Sequence, residues 1–412
     1  MPDIRPLFGA PNRDAAKILE DFGAIIRGVR PLNSRQQALL PLEIKKLFHR
    51  LSDERSSRRT DYLNEPAALT AYTHYYHWWN LVRLTRLFAG LGAEHLSIPE
   101  NGVCVDLGSG PLTVPTALWL ARPELRKRRL TWYCIDRSRT ALSLGEELYL
   151  ATAARTNAAG QTSLPRHTCL PWRIVRIQGE AGIAVRQKAH FVAAANVFNE
   201  ILQNAARSPE VLAHNAAVLL ASYTEPASDG TILLVEPGIP PSAHFVSLVR
   251  EQVLDAGWHI QAPCPHEERC PMDGSQNVNG RKGGKWCHFV FPTEDAPKPL
   301  RTLSDSAGLS KDRATLSFLL ANNRENREKP SPSIPLFSVR IASNPIALPG
   351  NRTGFYGCSG LGLTLLETPE GAALSRESRS LELCSGALAS LPDPAKQPLM
   401  DRKSGAARVM FF

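Results

Sequence analysis

Between Val103 and about Gly257, short β-rich segments alternate with helical stretches, and this alternation limits the folds that the chain can adopt. The β-rich segments read VCVDL, LTWYCID, WRIVRI, HFVAAANV and TILLVEP. Strands that alternate with helices form βαβ units, in which a parallel sheet is covered by helices on its faces. The sequence therefore predicts an α/β core.

The rest of the 412-residue chain divides by composition. The first 98 residues carry helical apolar spacing, the residues after Gly257 are rich in Cys, Pro and Gly, and a turn-rich β pattern follows residue 330. We therefore predict four regions: a helical region over 1–98, the α/β core over 99–262, a Cys-rich metal-cluster lobe over 263–330, and a β-rich region with a weakly structured tail over 331–412.

An aromatic stripe marks the last helix of the first region. Tyr72, Tyr75, Tyr76 and Trp79 fall at positions i, i+3, i+4 and i+7, so they share one helix face. Such a face either packs into a core or forms a stacking platform for the bases of a nucleic acid. Core packing is the commoner use, and we predict it here.

Charge and apolar run length restrict the partners of the chain. A net charge of +9 suits a nucleic-acid partner without requiring one. No apolar run approaches the ~18 residues of a membrane span, and the first residues lack the apolar segment of a secretion signal. We expect a cytoplasmic, monomeric protein with reduced thiols and no membrane partner.

The most informative motif is VCVDLGSGPLT, which joins the first predicted strand to a helix. Gly108 and Gly110 let the backbone approach a ligand, and the helix that follows offers free N–H groups. The third glycine of a dinucleotide-binding motif is missing, and Asp106 would repel a pyrophosphate. An acid here favours a cationic ligand, and the segment resembles the first motif of S-adenosylmethionine methyltransferases.

The second predicted strand ends in an acid, Asp136, at the place where that family binds the two ribose hydroxyls of the cofactor. The alternative is a structural strand–turn–helix unit with an incidental acid. We favour cofactor binding because both halves of the pattern are present. The candidate cofactor-binding residues are Asp106, Gly108, Gly110, Asp136 and Asn196.

Polar residues follow the fourth predicted strand at the same edge of the sheet. Asn196, Asn199 and Glu200 are the candidate catalytic residues, and they suit the cap of the next helix equally well. Glu236, which closes the fifth strand, has the same two interpretations. The D/N-P-P-Y/F segment of many N-methyltransferases is absent, so the residues leave catalysis open.

Four of the eight cysteines lie among glycines, prolines and charged residues: Cys264, Cys270, Cys287 and Cys358. Two of them precede a proline, which rigidifies the turn, whereas structural cysteines such as Cys104 occupy apolar strands. Four thiolates suit a zinc ion or an iron–sulfur cluster, and His266 or His288 could replace a thiolate at zinc. The residues alone leave zinc, iron–sulfur and no metal as alternatives.

Eight segments spread along most of the chain carry a family resemblance: YLNEPAALTAYTHYYHWWNLVRL, VDLGSGPLT, NVFNEI, LLVEPGIP, CPHEERCP, WCHF, GFYGCS and DRKSGA. In these segments the chain resembles the methyltransferase-like family of small-ribosomal-subunit assembly proteins. The set CPH, CP and WCHF is its most specific part, since many methyltransferases share the glycine motif.

The resemblance implies a Rossmann-like class I S-adenosylmethionine methyltransferase core that binds S-adenosylmethionine and associates with the small ribosomal subunit and its rRNA. It also implies a [4Fe–4S] cluster, whose ligands match Cys264, Cys270, Cys287 and Cys358. The segment GSQNVNGRKGGK is longer than in the family, and we expect a surface loop that removes no ligand. Catalysis is not implied, because the family owes its methyltransferase assignment mainly to its fold.

Two basic groups are candidates for RNA contact: Arg122, Arg126, Lys127, Arg128 and Arg129 in one run, and Arg281, Lys282 and Lys285 near the cysteines. The first run lies at the sheet edge opposite the predicted cofactor site. A solvated charged loop is the commoner explanation for such a run.

Overall fold

Five parallel strands form the centre of the main sheet, as the alternation of the sequence predicts. The computed structural model describes residues 3–52, 62–159, 169–204, 208–225, 230–275, 284–323, 336–368, 383–392 and 398–411. The five strands are β2 Val103–Leu107, β3 Thr131–Asp136, β4 Arg173–Gln178, β5 Phe191–Ala195 and β6 Thr231–Glu236. Two more strands, β7 His259–Ala262 and β9 Arg313–Asn322, complete the sheet, and β8 Phe289–Pro292 pairs with β9.

The strand order is β4-β3-β2-β5-β6-β9-β7, and β9 runs antiparallel to both of its neighbours. The helices that connect the strands are α6 Thr113–Ala121, α7 Arg139–Ala159, α8 Phe198–Asn204, α9 Pro209–Ser222, α10 Pro240–Asp255 and α11 Lys298–Ser306. A parallel sheet whose strand order reverses beside its first strand, and whose one antiparallel strand, β9, lies next to the edge strand β7, is the Rossmann-like class I methyltransferase core that the sequence predicts.

The amino-terminal region is helical, apart from one short strand. Its elements are β1 Asp3–Arg5, α1 Arg13–Glu20, α2 Phe22–Val29, α3 Ser34–Ser52, α4 Pro66–Ala71 and α5 Trp78–Gly90. A π-helical turn, Tyr72–His77, joins α4 to α5. Tyr75 and Trp79 of the aromatic stripe are buried, as core packing predicts.

Successive residues of each central strand face two different apolar layers. Cys104 and Trp132 pack with Trp79 of the amino-terminal helices on one face of the sheet. Val105 and Ile135 pack on the other face, against helices α9 and α10. Because the amino-terminal helices cover one face of the sheet, they share a core with it.

A second sheet follows the main one. Its strands are β10 Leu336–Ile341, β11 Ile346–Leu348, β12 Arg352–Ser359, β13 Gly362–Glu367, β14 Leu388–Pro392 and β15 Ala407–Met410. The order is β1-β14-β10-β12-β13-β15, with β11 paired to β12. Among the described strand pairs of this second sheet, only β13–β15 is parallel.

Two elements depart from the boundaries that the sequence predicts. Strand β9 belongs to the main sheet, although its residues fall in the range predicted as the Cys-rich lobe. Strand β1 pairs with β14, so the amino-terminal region contributes to the carboxy-terminal sheet. Local composition cannot reveal either pairing, because both partners are distant along the chain. No helix in the described part of the chain is both long and apolar enough to cross a membrane.

Two arginines of the basic run after helix α6 have structural contacts. Arg122 is buried and donates to the carbonyl oxygens of Leu91 and Gly92, at 2.6 and 2.9 Å. Arg126 Nε donates to the carbonyl of Trp119 at 2.6 Å. The expected solvated loop is therefore wrong for these two arginines, because their guanidinium groups satisfy backbone carbonyls.

Candidate functional site

The glycine motif forms a tight loop between β2 and α6. Gly108 and Gly110 have φ angles of +63° and +50°, a region that favours glycine. A Cβ atom at Gly108 would lie 2.5 Å from Cγ2 of Val197, so a larger residue does not fit there. A Cβ atom at Gly110 would have no other atom within 4 Å, so this glycine borders open space.

Asp136 holds the loop from the end of β3. Its Oδ2 accepts a hydrogen bond from the Gly110 amide at 2.8 Å, and its Oδ1 accepts one from the Ser138 amide at 2.7 Å. A carboxylate has about four lone-pair sites, so both oxygens can still accept a hydroxyl group. Burial raises the pKa of Asp136 above its usual range.

One cavity of about 370 Å³ gathers most of the predicted site residues. Its lining includes Gly108, Gly110, Asp136, Asn196 and Glu200. The carboxyl ends of parallel strands meet at this edge of the sheet, which is the usual ligand position in α/β folds. Four of the five predicted cofactor residues therefore line the same cavity.

Asp106, the fifth of them, is buried within strand β2 and does not line the cavity. Neither of its carboxylate oxygens has a hydrogen-bond partner among the described residues. The Ser109 hydroxyl donates to the Asp106 backbone carbonyl instead, at 2.8 Å. Burial raises the pKa of Asp106 to about 8, and the nearby Asp136 adds to this increase.

The three candidate catalytic residues separate in the structure. Asn196 and Glu200 line the cavity, whereas Asn199 does not. The backbone amides of Phe198 and Asn199 donate to the two carboxylate oxygens of Glu236, at 2.9 and 3.1 Å. Glu236 therefore satisfies the free N–H groups of helix α8, and burial raises its pKa to about 8.

The amino-terminal region supplies a wall of the cavity that the sequence analysis missed. Tyr62 and Tyr72 line it, and their ring centroids are 6.3 Å apart. The Tyr62 hydroxyl lies 3.3 Å from Oε1 of Glu200. Tyr72 belongs to the aromatic stripe, for which the sequence predicts core packing. Its role in lining the cavity could have been found only by separating the stripe residues that face the core from those that face the cavity.

The same region also contacts the first helix after the glycine loop. His77, in the π-helical turn, places Nδ1 2.8 Å from Oγ1 of Thr113, the first residue of α6. Burial lowers the pKa of His77 to about 3, so its ring is neutral at physiological pH. The hydrogen bond between the neutral His77 ring and Thr113 therefore links the amino-terminal helical region to the helix that follows the glycine loop.

The four predicted metal ligands come from distant segments, and their thiols influence one another electrostatically. The turn after β7 carries Cys264 and Cys270, the loop before β8 carries Cys287, and β12 carries Cys358. Burial raises the thiol pKa of Cys287 and Cys358, and in both cases the neighbouring cysteines add to the increase. Burial likewise raises the pKa of Cys270 to about 11.

Two buried arginines accompany these thiols. Arg250 and Arg340 are 3% and 8% exposed. Arg250 Nη2 donates to the carbonyls of His266 and Glu268, and Arg340 Nε donates to the carbonyl of Pro263 at 2.7 Å. Burial lowers the pKa of Arg340 to about 10, while the thiols act in the opposite direction. Both cations therefore hold the cysteine turn through its backbone.

The donor chemistry suits a metal–thiolate group, although the ligands are not at metal-binding spacing. No three His, Cys, Asp or Glu side chains of the described ranges form a group that could hold a metal ion as they stand. The two nearby cations would offset part of the negative charge of four thiolates. Arg281 and Lys282, expected beside this lobe, lie outside the described residues, whereas Lys285 lies within them.

Comparison with solved structures finds methyltransferases at low similarity. Precorrin-6y C5,15-methyltransferase from Geobacter metallireducens is 9% identical over 59% of this chain and 87% of its own, with a TM-score of 0.33. A Geobacter sulfurreducens methyltransferase in complex with S-adenosyl-L-homocysteine is 14% identical over 68% and 98%, with a TM-score of 0.29. Ribosomal protein L11 methylase from Lactobacillus delbrueckii subsp. bulgaricus is 13% identical over 46% and 74%, with a TM-score of 0.28.

None of the curated proteins compared with the chain matches it. The family comparison is decisive, because residues 98–347, more than half of the chain, match the family described as mitochondrial small ribosomal subunit Rsm22. This range contains the glycine loop, the cavity strands and three of the four cysteines. The chain belongs to the Rsm22 family of methyltransferase-like proteins of the small ribosomal subunit.

Proposed function

We propose that this protein is an assembly factor of the small ribosomal subunit that binds S-adenosylmethionine and a [4Fe–4S] cluster and contacts rRNA. The observation that carries the proposal is the single cavity in which the glycine loop, Asp136 and Asn196 meet. As a direct test, purified protein should bind S-adenosylmethionine in calorimetry and co-sediment with free small subunits. A protein that does neither would refute the proposal.

Charge around the cavity supports a cationic ligand. The lining carries the acids Asp136, Glu180 and Glu200, and one cation, Arg137, which pairs with Glu180 at 2.9 Å. The buried carboxyl group of Asp106 beside the loop holds a proton below pH 8 and adds a fourth negative charge only when it ionises. Opposite charges attract most strongly where water is excluded. A sulfonium cofactor suits this balance, whereas a pyrophosphate would be repelled.

In this assignment, Asp136 binds the ribose hydroxyls, and Gly108 and Gly110 let the backbone pass close to the ligand. S-adenosylmethionine would supply a methyl group carried on a positively charged sulfur. Asn196 and Glu200 line the same cavity as the two tyrosines. Tyr62 orients the Glu200 carboxylate through its hydroxyl group.

The pKa of Asp106 leads to a prediction on pH. Below pH 8 this carboxyl group holds a proton, and a bound cation favours its ionised form. Binding then releases a proton, so affinity for S-adenosylmethionine should rise with pH, by up to about tenfold per unit between pH 6 and 8. Calorimetry at several pH values measures this. An Asp106→Asn variant should bind more weakly and with a smaller slope; an unchanged slope would contradict the role of Asp106.

Close packing beneath the loop gives a second prediction. A Cβ atom at Gly145 of α7 would lie 2.4 Å from the carbonyl carbon of Pro111. Gly145→Ala should therefore displace the loop, lower the free energy of unfolding by about 1–3 kcal/mol, and weaken cofactor binding. Gly28→Ala is the matched control, since it is also helical and its Cβ would meet nothing within 4 Å. Equal cofactor affinity in the two variants would contradict the prediction.

Methylation of rRNA is a second candidate function. The observation in its favour is that Asn196 and Glu200 share the cavity with the glycine loop, so polar groups stand beside the cofactor position. Mass spectrometry of small-subunit rRNA from a deletion strain tests it. A methyl group that is missing there, and is restored by the wild type but not by an Asp106 variant, would establish catalysis. An unchanged modification pattern would leave the chain as a binding protein.

For the metal group, we propose Cys264, Cys270, Cys287 and Cys358 as ligands of the cluster. Support comes from the raised thiol pKa values of Cys287 and Cys358, to which the neighbouring cysteines contribute, and from the two buried arginines. Because the thiols must lose their protons to bind metal, loading should release protons. Zinc in the same four-thiolate set is the alternative, which metal analysis distinguishes.

A further inference from the structure

Two adjoining cavities, of about 260 and 370 Å³, lie between the loop that precedes β8 and the carboxy-terminal sheet. Both are lined by Gly284, Lys285 and Tyr356, so they form one cleft, which we name the loop–sheet cleft. None of its described lining residues belongs to the cavity at the glycine loop. The proposed cofactor site therefore leaves this cleft without a role.

Aromatic rings line one part of the cleft. The Trp286 and His288 rings stack, with centroids 4.9 Å apart and planes at 18°. Trp286 Nε1 donates to the carbonyl of Gly238 at 3.1 Å, and His288 Nδ1 lies 3.1 Å from the carbonyl of Trp286. These contacts fix the rings before any ligand binds. Tyr356 lines the same cavity, so a flat group that enters it meets rings from two separate segments.

Basic side chains line the other part. Lys285 places Nζ 4.1 Å from the centroid of the Tyr356 ring, and Lys403 and Ser404 line the adjoining cavity. Among the described residues of that lining the one carboxylate is Asp273, whose Oδ1 already accepts from the amide and the hydroxyl of Ser275. The charge of the described lining is therefore positive beside the aromatic part.

We propose that the loop–sheet cleft binds one unstacked nucleotide of single-stranded RNA. Its base would contact Trp286, His288 and Tyr356, and its phosphate would lie at Lys403. Single-stranded RNA is recognised by aromatic stacking combined with lysine or arginine contacts to phosphate, and paired bases cannot reach such rings. The inference rests on the proposed function in one respect, namely that the partner of the chain is RNA.

The test uses the full chain and a fluorescently labelled single-stranded octaribonucleotide, with a duplex of the same sequence for comparison. Lys403→Glu and Tyr356→Leu should each weaken single-strand binding about tenfold, since a base stack and a phosphate contact are lost. Arg402→Glu is the matched control, because it makes the same charge change at the neighbouring exposed residue, which does not line the cleft. It should change the affinity less than about threefold.

Competition separates a nucleotide from a simple anion. A ribonucleoside monophosphate should quench tryptophan fluorescence and displace the oligonucleotide at a concentration where inorganic phosphate does neither. Equal competition by phosphate would overturn the proposal in favour of an anion site. Equal losses in Lys403→Glu and Arg402→Glu, or equal losses for single strand and duplex, would overturn it in favour of general electrostatic attraction.

These outcomes are separable from failure of the proposed function. A wild-type protein that co-sediments with small subunits, and whose single-strand affinity none of the cleft variants changes, would refute the cleft alone. A wild-type protein that neither co-sediments nor binds S-adenosylmethionine would refute the proposed function. Lys403→Glu should leave S-adenosylmethionine affinity unchanged, because none of the described lining residues is common to the two cavities.

Discussion

Gly110→Arg should abolish binding of S-adenosylmethionine while the protein stays folded. Gly110 lines the cavity, and a side chain built there enters open space, so an arginine would occupy the volume that the cofactor needs. Its positive φ adds strain of about 1–2 kcal/mol. We expect an affinity loss of at least about 100-fold, or about 2.7 kcal/mol, in calorimetry.

Gly257→Arg is the control for the backbone strain of an arginine at a positive φ. Gly257 also has a positive φ, +80°, with nothing within 4 Å of its Cβ position, and it lies outside the cavity. Both variants should lose similar thermal stability, and only Gly110→Arg should lose the cofactor. Tight binding by Gly110→Arg would show that the glycine loop is not the cofactor site.

Protein purified without oxygen should be brown and carry about four irons and four sulfides per chain, as a cubane with four thiolate ligands requires. Alanine at any one of Cys264, Cys270, Cys287 or Cys358 should remove most of the iron. Because the ligands join the turn after β7 to strand β12, metal loss should also loosen the junction of the two sheets. Iron and sulfide analysis measures the first effect, and limited proteolysis measures the second.

Cys384→Ala and Cys169→Ala are the controls for the ligand set, since neither thiol belongs to it, and both should keep the full cluster. Stoichiometric zinc without iron or sulfide, in cells supplied with iron, would reject the cluster and favour the zinc alternative. A full cluster in Cys358→Ala would show that the fourth ligand is wrong, and His288 or Cys384 would be the next candidates.

The cavity illustrates how far local sequence patterns reach. The glycine spacing and the acid at the end of β3 identified Gly108, Gly110 and Asp136, because residues at the carboxyl ends of parallel strands share one sheet edge. For Asn199 the same argument left two interpretations, lining the site or capping the next helix; in the structure its backbone amide donates to Glu236 and it does not line the cavity. Helix capping and site lining use the same residue types, so sequence spacing cannot separate them.

The sequence by itself determined the parallel core, the glycine loop and the acid that holds it, because strand periodicity and loop chemistry are local properties. Only the tertiary structure decided that β9 inserts between β6 and β7, that β1 joins the distant sheet, and that Tyr62 and Tyr72 complete the cavity. Each of these pairs residues far apart in the chain. These contacts depend on which apolar faces the amino-terminal helices and the second sheet bury. The local sequence pattern of one segment does not show which distant segment will pack against it.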